Sequence, residues 1–246
     1  MLKKRVIIVL QLNNGVLFRT KNFVPDYRYT QSFLGAENCD EVVMLDITRP
    51  ADYSRAPFGD AMQPYVEKCY VPVTAGGHVS GLDHFAYLLR ECGADKIVIN
   101  TAAYERPKLI TEAADKHGRQ AVVVGIDANA DHQVVIGHGV RATYMPVEIW
   151  AAKAVELGAG EIFVTSIERD GSLRGYDLPL LEKVLRVVKV PVVIAGGCGN
   201  WQHMADAFAA GADGAASSNI FHLTDTAMYA AKKYLAAKGI AVRPAA

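Results

Sequence analysis

Lys189-Val-Pro-Val-Val-Ile-Ala-Gly-Gly-Cys-Gly199 is an apolar, β-branched run that stops on a pair of glycines. Val71-Pro-Val-Thr-Ala-Gly-Gly77 has the same make-up 119 to 120 residues earlier. Two further pairs share this period: Glu41-Val-Val-Met-Leu-Asp-Ile47 with Glu161-Ile-Phe-Val-Thr-Ser-Ile167, and Gly93-Ala-Asp95 with Gly211-Ala-Asp213. A sequence that repeats itself at half its length describes two similar half-structures.

Working outward from these runs, apolar segments recur at 6–12, 42–47, 71–74, 97–100, 121–126, 162–166, 192–195 and 214–217. They are continuous rather than alternating, which suits strands of a parallel sheet covered on both faces. Helical spacing fills 80–92, 146–157, 179–188, 201–210 and 224–237, with Pro opening the second and Gly closing it. Eight such units in 246 residues give about 31 residues each, the size of a βα unit. The expected fold is a single-domain (βα)8 TIM barrel over 1–246, made of half-barrels of about 1–118 and 119–246. No linker rich in Pro, Gly or Ser divides them.

Composition narrows the function classes. Lys plus Arg and Asp plus Glu are 26 each, and 51% of residues are hydrophobic. The neutral balance gives no support for a nucleic-acid or anionic-membrane partner. No apolar run reaches the ~18 residues of a membrane helix, and the basic start lacks a cleavage site; a soluble cytoplasmic protein is expected. Cys39, Cys69, Cys92 and Cys198 show neither CxxC nor metal spacing, so no metal and no disulfide framework is read.

In such a barrel the chemistry lies at the C-terminal strand ends. Gly76 and Gly77 facing Asn100 and Thr101, and Gly196 and Gly197 facing Ser218 and Asn219, form two candidate phosphate sites related by the repeat, joined by Asp170 and Gly171. Tight βα turns are the other use for such glycines. Asp127 ends the fifth run and is a candidate general acid or base, or a cap for its loop. The position equivalent to it in the first half is Gln11, which carries no proton at neutral pH. At the opposite face Arg5, Glu41, Lys96 and Glu161 begin strands, a set able to form a closed salt-bridge ring.

These residues carry a family resemblance. Val43-Met-Leu-Asp-Ile-Thr48, Gly93-Ala-Asp-Lys96, Ile99-Asn-Thr-Ala102, Gln120-Ala-Val-Val-Val-Gly-Ile-Asp127, Gly158-Ala-Gly-Glu161, Thr165-Ser-Ile-Glu-Arg-Asp-Gly171, Gly175-Tyr-Asp177 and Phe221-His222 resemble the cyclase (synthase) subunit of imidazole glycerol phosphate synthase, and the likeness runs along nearly the whole chain. The resemblance implies a lyase-type synthase subunit without a cofactor. It implies a glutaminase partner on the barrel bottom, near Asp95 and Gln120, and ammonia entering through a gate matched by Arg5, Glu41, Lys96 and Glu161. The acceptor it implies is a diphosphorylated small molecule at the top.

The departures from that family fall at the top. It places catalytic aspartates at positions matched by Gln11 and Asp127, and a catalytic lysine at a position matched by Arg19. Its three-glycine run reads Gly76-Gly77-His78 here, and a serine is replaced by Asn219. Barrel paralogues that serve amidation of a surface-polysaccharide sugar, together with a glutaminase and a separate ligase, are similar to this chain, including Arg19-Thr-Lys-Asn-Phe23. The expected function is therefore an ammonia-receiving synthase subunit for sugar amidation. The alternative is a working cyclase subunit of histidine biosynthesis, and a third reading is a scaffold that only activates the glutaminase.

Overall fold

The computed structural model describes residues 3–28, 39–49, 53–218, 220 and 227–244. Its elements are β1 (Arg5–Asn13), β2 (Val16–Lys21), β3 (Val24–Arg28), β4 (Glu41–Asp46), α1 (Arg55–Val66), β5 (Val73–Gly76), α2 (Leu82–Arg90), β6 (Lys96–Ile99), α3 (Thr101–Glu105), α4 (Lys108–His117), β7 (Val122–Ala128), β8 (Gln133–Ile136), β9 (Arg141–Pro146), α5 (Val147–Leu157), β10 (Glu161–Ser166), α6 (Leu178–Leu185), β11 (Val192–Ala195), α7 (Trp201–Ala209), β12 (Gly214–Ser217) and α8 (Ala227–Ala237).

Eight parallel strands close on themselves in the order β1-β4-β5-β6-β7-β10-β11-β12, and β12 returns to β1 through Arg5↔Gly214 and Ile7↔Ala216. The chain is therefore a (βα)8 barrel. Alternation along each strand makes two apolar layers. Val6, Ile8 and Leu10 face outward to the helices, whereas Ile7 and Val9 join Val43, Val98, Val123 and Phe163 inside the barrel. Among the described residues no helix is long and apolar enough to cross a membrane.

The runs at 6–12, 42–47, 97–100, 121–126, 162–166, 192–195 and 214–217 coincide with strands to within a residue or two. The third is displaced. The strand begins at Val73 rather than 71, because Pro72 has no N–H to place in a ladder and contributes only its carbonyl, which accepts from Val42 N at 3.0 Å. Two antiparallel hairpins extend the barrel beyond the expected units: β2–β3 folds back from β1, and β8–β9 from β7. Helices α1, α3 and α4 were also absent from the expectation; Pro64 lies within α1 and Pro107 separates α3 from α4.

The Gly-Ala-Asp repeat has a clear structural use. Asp95 accepts from Val73 N at 2.8 Å, and Asp213 from Val192 N at 3.0 Å. Asp40 does the same for Val6 N at 2.9 Å. Asp95 and Asp213 satisfy the first N–H of a neighbouring strand, and Asp40 the second N–H of β1, donors otherwise left unpaired at the barrel rim.

Candidate functional site

The bottom of the barrel carries four strand-start charges, and they meet. Arg5 Nη1 lies 2.6 Å from Glu41 Oε2 and 3.0 Å from Glu161 Oε2. Lys96 Nζ lies 2.7 Å from Glu41 Oε1 and 3.3 Å from Glu161 Oε2. Thr74 Oγ1 donates to Glu41 Oε1 at 2.6 Å. Each charge thus touches both charges of opposite sign, and the ring is closed. Burial alone would raise the Glu41 carboxyl, but Lys96, Arg5 and the Thr74 hydroxyl together hold it below its usual value. Among the described residues Arg5 Nη2 is buried without a hydrogen-bond partner. Asp95 and Gln120 are exposed, each just ahead of a strand start on this face.

At the other end the strand termini and both hairpins enclose a cavity of about 480 Å³. Its floor is the inner apolar layer, with Val9, Leu45, Val98, Phe163, Ala195 and Ala216. Its walls include Gln11, Asn100, Thr101, Asp127, Asp170 and the backbone at Gly77, Gly171, Gly196, Gly197 and Ser218. Sequence reading therefore placed most of its candidates in one chamber. Gly76 closes the end of β5 just behind the lining, and Asn219 lies outside the described residues.

Asp127 is the chemically distinctive group. Asn100 Nδ2 donates to its Oδ2 at 2.7 Å, which leaves Oδ1 as the oxygen free to act. Burial pushes its carboxyl up to about 7, the Asn100 hydrogen bond opposes this, and the Asp170 charge adds to it. A carboxyl titrating there can accept and return a proton at neutral pH.

Gln11 is committed elsewhere. Its Nε2 donates to Thr20 Oγ1 at 2.8 Å, and that hydroxyl donates in turn to Asp170 Oδ2 at 2.7 Å. Phe23 N donates to the same Asp170 oxygen at 3.0 Å. Burial raises the Asp170 carboxyl against the opposing effect of these two donors. The chain Gln11–Thr20–Asp170 therefore ties hairpin β2–β3 to the loop after β10. An amide is the side chain that fits at position 11, because Thr20 needs a donor there while its own proton serves Asp170.

Arg19 does not reach the cavity. It stands on the outer face of the hairpin with its guanidinium on Asp26 Oδ2 at 2.8 and 3.0 Å, and it lies over the Tyr27 ring. The next residue, Thr20, points inward instead. Sequence reading missed Thr20, Phe23, Arg49 and His138 as site residues. Asn14-Gly15, with φ of +49° and +73°, was the signal for the first hairpin, since Asn-Gly is a strong two-residue turn.

The glycine pairs serve turns and the chamber together. Gly77 and Gly197 have φ of +99° and +102°, and a Cβ on them would stand 2.2 Å from Asp46 O and from Gly175 O respectively. No larger residue fits either turn, and both backbones line the cavity.

Comparison with known proteins agrees with this geometry. A family described as histidine biosynthesis protein matches residues 6–227. Imidazole glycerol phosphate synthase subunit HisF of Bacillus licheniformis is 40% identical over an alignment of 254 residues, spanning 99% of this chain and 100% of that protein. With the closed barrel, the charged ring beneath it and the acidic chamber above, a match of this extent shows that the chain belongs to the histidine biosynthesis protein family, as a subunit of the imidazole glycerol phosphate synthase cyclase type.

Proposed function

We propose that this chain is the synthase subunit of a glutamine amidotransferase. A glutaminase seated on the bottom face, over Asp95 and Gln120, releases ammonia there. The ammonia crosses the barrel interior and is added to a phosphorylated small molecule in the mouth, in the cytoplasm. The observation that carries this reading is the arrangement along the barrel axis: a closed ring of Arg5, Glu41, Lys96 and Glu161, an apolar layer above it, and Asp127 titrating near neutrality above that.

The layer of Ile7, Val9, Val43, Val98, Val123 and Phe163 favours neutral ammonia over ammonium, since an unpaired charge among apolar side chains is strongly disfavoured. The unpartnered Arg5 Nη2 is a donor for the lone pair of a small neutral molecule at the gate. In the mouth the ammonia nitrogen attacks an electrophilic carbon of the acceptor. Asp127 Oδ1 takes the proton that the nitrogen sheds and returns it to the departing oxygen. The backbone at Gly196, Gly197 and Gly171, with Ser218, holds the acceptor's phosphate.

Membership of the histidine biosynthesis protein family and the likeness to the Bacillus imidazole glycerol phosphate synthase subunit support formation of imidazole glycerol phosphate in histidine biosynthesis as the first acceptor chemistry. A second, amidation of a surface-polysaccharide sugar together with a separate ligase, is favoured by one observation: Gln11 offers an amide, fixed on Thr20, where a second proton-carrying group would serve cyclisation. One assay separates them. The protein is supplied with ammonium and the cyclase substrate, and product is followed. Turnover equal to that of the Bacillus enzyme establishes the first reading; turnover lower by about 10²-fold or more excludes it and leaves the second. A complex with a cognate glutaminase at tens of micromolar, seen by size-exclusion chromatography, is expected under both.

A further inference from the structure

The repeat that sets Gly197 after β11 sets Gly77 after β5, four strands away round the eight of the barrel, so the two glycine turns face each other across the mouth. They are not furnished alike. The Gly197 end is lined by the backbone of Gly196 and Gly197 with Ser218. At the Gly77 end a side chain follows at once: His78, at φ of +54°, lines the chamber where a third glycine would leave bare backbone.

His78 is held in place. Its Nε2 donates to Thr48 O at 2.6 Å, its carbonyl accepts from His84 Nδ1 at 3.0 Å, and Tyr53 stacks on the imidazole at 3.8 Å. A phosphate arriving on this side meets less backbone than at the other end and needs a further partner.

Arg49, three residues beyond β4, stands on the same side. Its Nη2 donates to Phe23 O at 2.9 Å and its Nη1 reaches towards His138 O, and the His138 ring lies 4.9 Å from that of His78. Gly137 N, the neighbour of His138, donates to Thr101 Oγ1 at 2.9 Å, which leaves the hydroxyl proton of Thr101 for another acceptor. Arg49, His78, Thr101 and His138 thus form one wall of the chamber.

Among the described lining residues Arg49 is the one arginine or lysine, set against four carboxyls, and it pairs with none of them. Glu105 takes Arg141, Thr20 and Phe23 N serve Asp170, Asn100 serves Asp127, and Thr48 N serves Asp46. Holding two carbonyls uses two of the five N–H groups of a guanidinium, and a neutral amide would hold them as well. The hairpin contacts therefore account for a donor at position 49 but not for a charge. A half-buried cation with no carboxylate on it among the described residues gains most when an anion comes to it.

We propose that Arg49 binds the second of two phosphates on the acceptor, with the Thr101 hydroxyl beside it, so that a side-chain charge does at the Gly77 end what bare backbone does at the Gly197 end. The inference rests on the phosphate reading at the Gly197 end. It makes Arg49 a specificity-determining residue for doubly phosphorylated acceptors, and the planar fork of arginine suits two phosphate oxygens at once.

The test compares ribose 5-phosphate with ribulose 1,5-bisphosphate, titrated calorimetrically into the full-length protein at pH 7. The wild-type protein is expected to bind the bisphosphate tighter by about tenfold or more, the gain of a charge-assisted contact. Arg49→Gln keeps a donor for the Phe23 carbonyl and removes the charge. It is expected to weaken the bisphosphate by about tenfold and to leave the monophosphate within about twofold. Arg49→Lys, with the charge kept and the fork lost, should fall between. Equal weakening of both compounds in Arg49→Gln would show that Arg49 acts only by holding the hairpins, and overturns the inference. So does a wild-type protein that binds the two alike. Either result leaves the phosphate reading standing, whereas failure of both compounds to bind the wild-type protein overturns the two together.

Discussion

At the bottom of the barrel four charges neutralise one another, whereas at the mouth Asp127 has a neutral amide, Asn100, as its hydrogen-bond partner and another carboxylate, Asp170, nearby. Both groups are poorly hydrated, yet burial has opposite results. Glu41 is surrounded by two cations and a hydroxyl and stays ionised, while Asp127 has one neutral donor and is pushed up to about 7. The difference teaches that partners, more than depth, decide whether a buried carboxyl becomes a fixed charge or a proton carrier.

Removing the proton carrier is the harshest test of this contrast. Asp127→Asn is expected to lower product formation by about 10²–10⁴-fold, the usual worth of a general acid or base. The same variant gives a second readout. A carboxyl raised from 3.8 to about 7 contributes stability that is complete below about pH 3.8 and lost as pH rises through about 7. Asp127→Asn should therefore melt a few degrees above the wild-type protein at pH 8 and level with it at pH 4, by calorimetry.

Glu41→Gln opens the ring and leaves Arg5 and Lys96 to share Glu161. Urea unfolding at pH 7 should show a loss of about 3–5 kcal/mol, as expected when one member of a buried ion network is removed. Here the sign is reversed. Glu41 is lowered, so its contribution is present above about pH 4.5 and lost as pH falls through its folded value. The difference between wild type and variant should close in acid.

Gln11→Asp places a carboxylate beside a hydroxyl that already serves Asp170. The expected result is a looser β2–β3 hairpin, cleaved faster by protease within 16–28, at about 1–2 kcal/mol, the cost of leaving a buried polar group poorly paired. Gln11→Glu should behave alike, and faster turnover by either variant would show that position 11 awaits a proton. The smallest effect belongs to Arg19→Ala. The Arg19–Asp26 pair is exposed, and its loss should change stability by no more than about 0.5 kcal/mol and leave ligand binding as it was.

The barrel was legible because each β-branched run is short, apolar and followed by a small-residue turn, and because the Glu, Gly-Gly and Gly-Ala-Asp signatures recur at one period. Asp95 shows what such a signature leaves out: the repeat marked it, but its bond to Val73 N is visible only in three dimensions. The mouth was half legible. Strand-end residues such as Asn100 and Asp127 follow from the strand pattern, whereas Thr20, Phe23 and His138 arrive on hairpins whose exposed faces carry no apolar rhythm. Arg19 illustrates the parity problem. In a strand successive side chains point to opposite faces, so a shift of one residue moves a candidate from chamber to solvent.

Arg49 joins the two hairpins, and Phe23 from one of them packs against Gly139 of the other, whose Cβ, if present, would stand 2.8 Å from the ring. Neither flap can swing outward without disturbing the other. An outward movement of either hairpin is therefore expected to loosen the other, through Arg49 and the Phe23–Gly139 contact. A lesion in either flap should be felt kinetically at both, as a change in how long a molecule dwells inside.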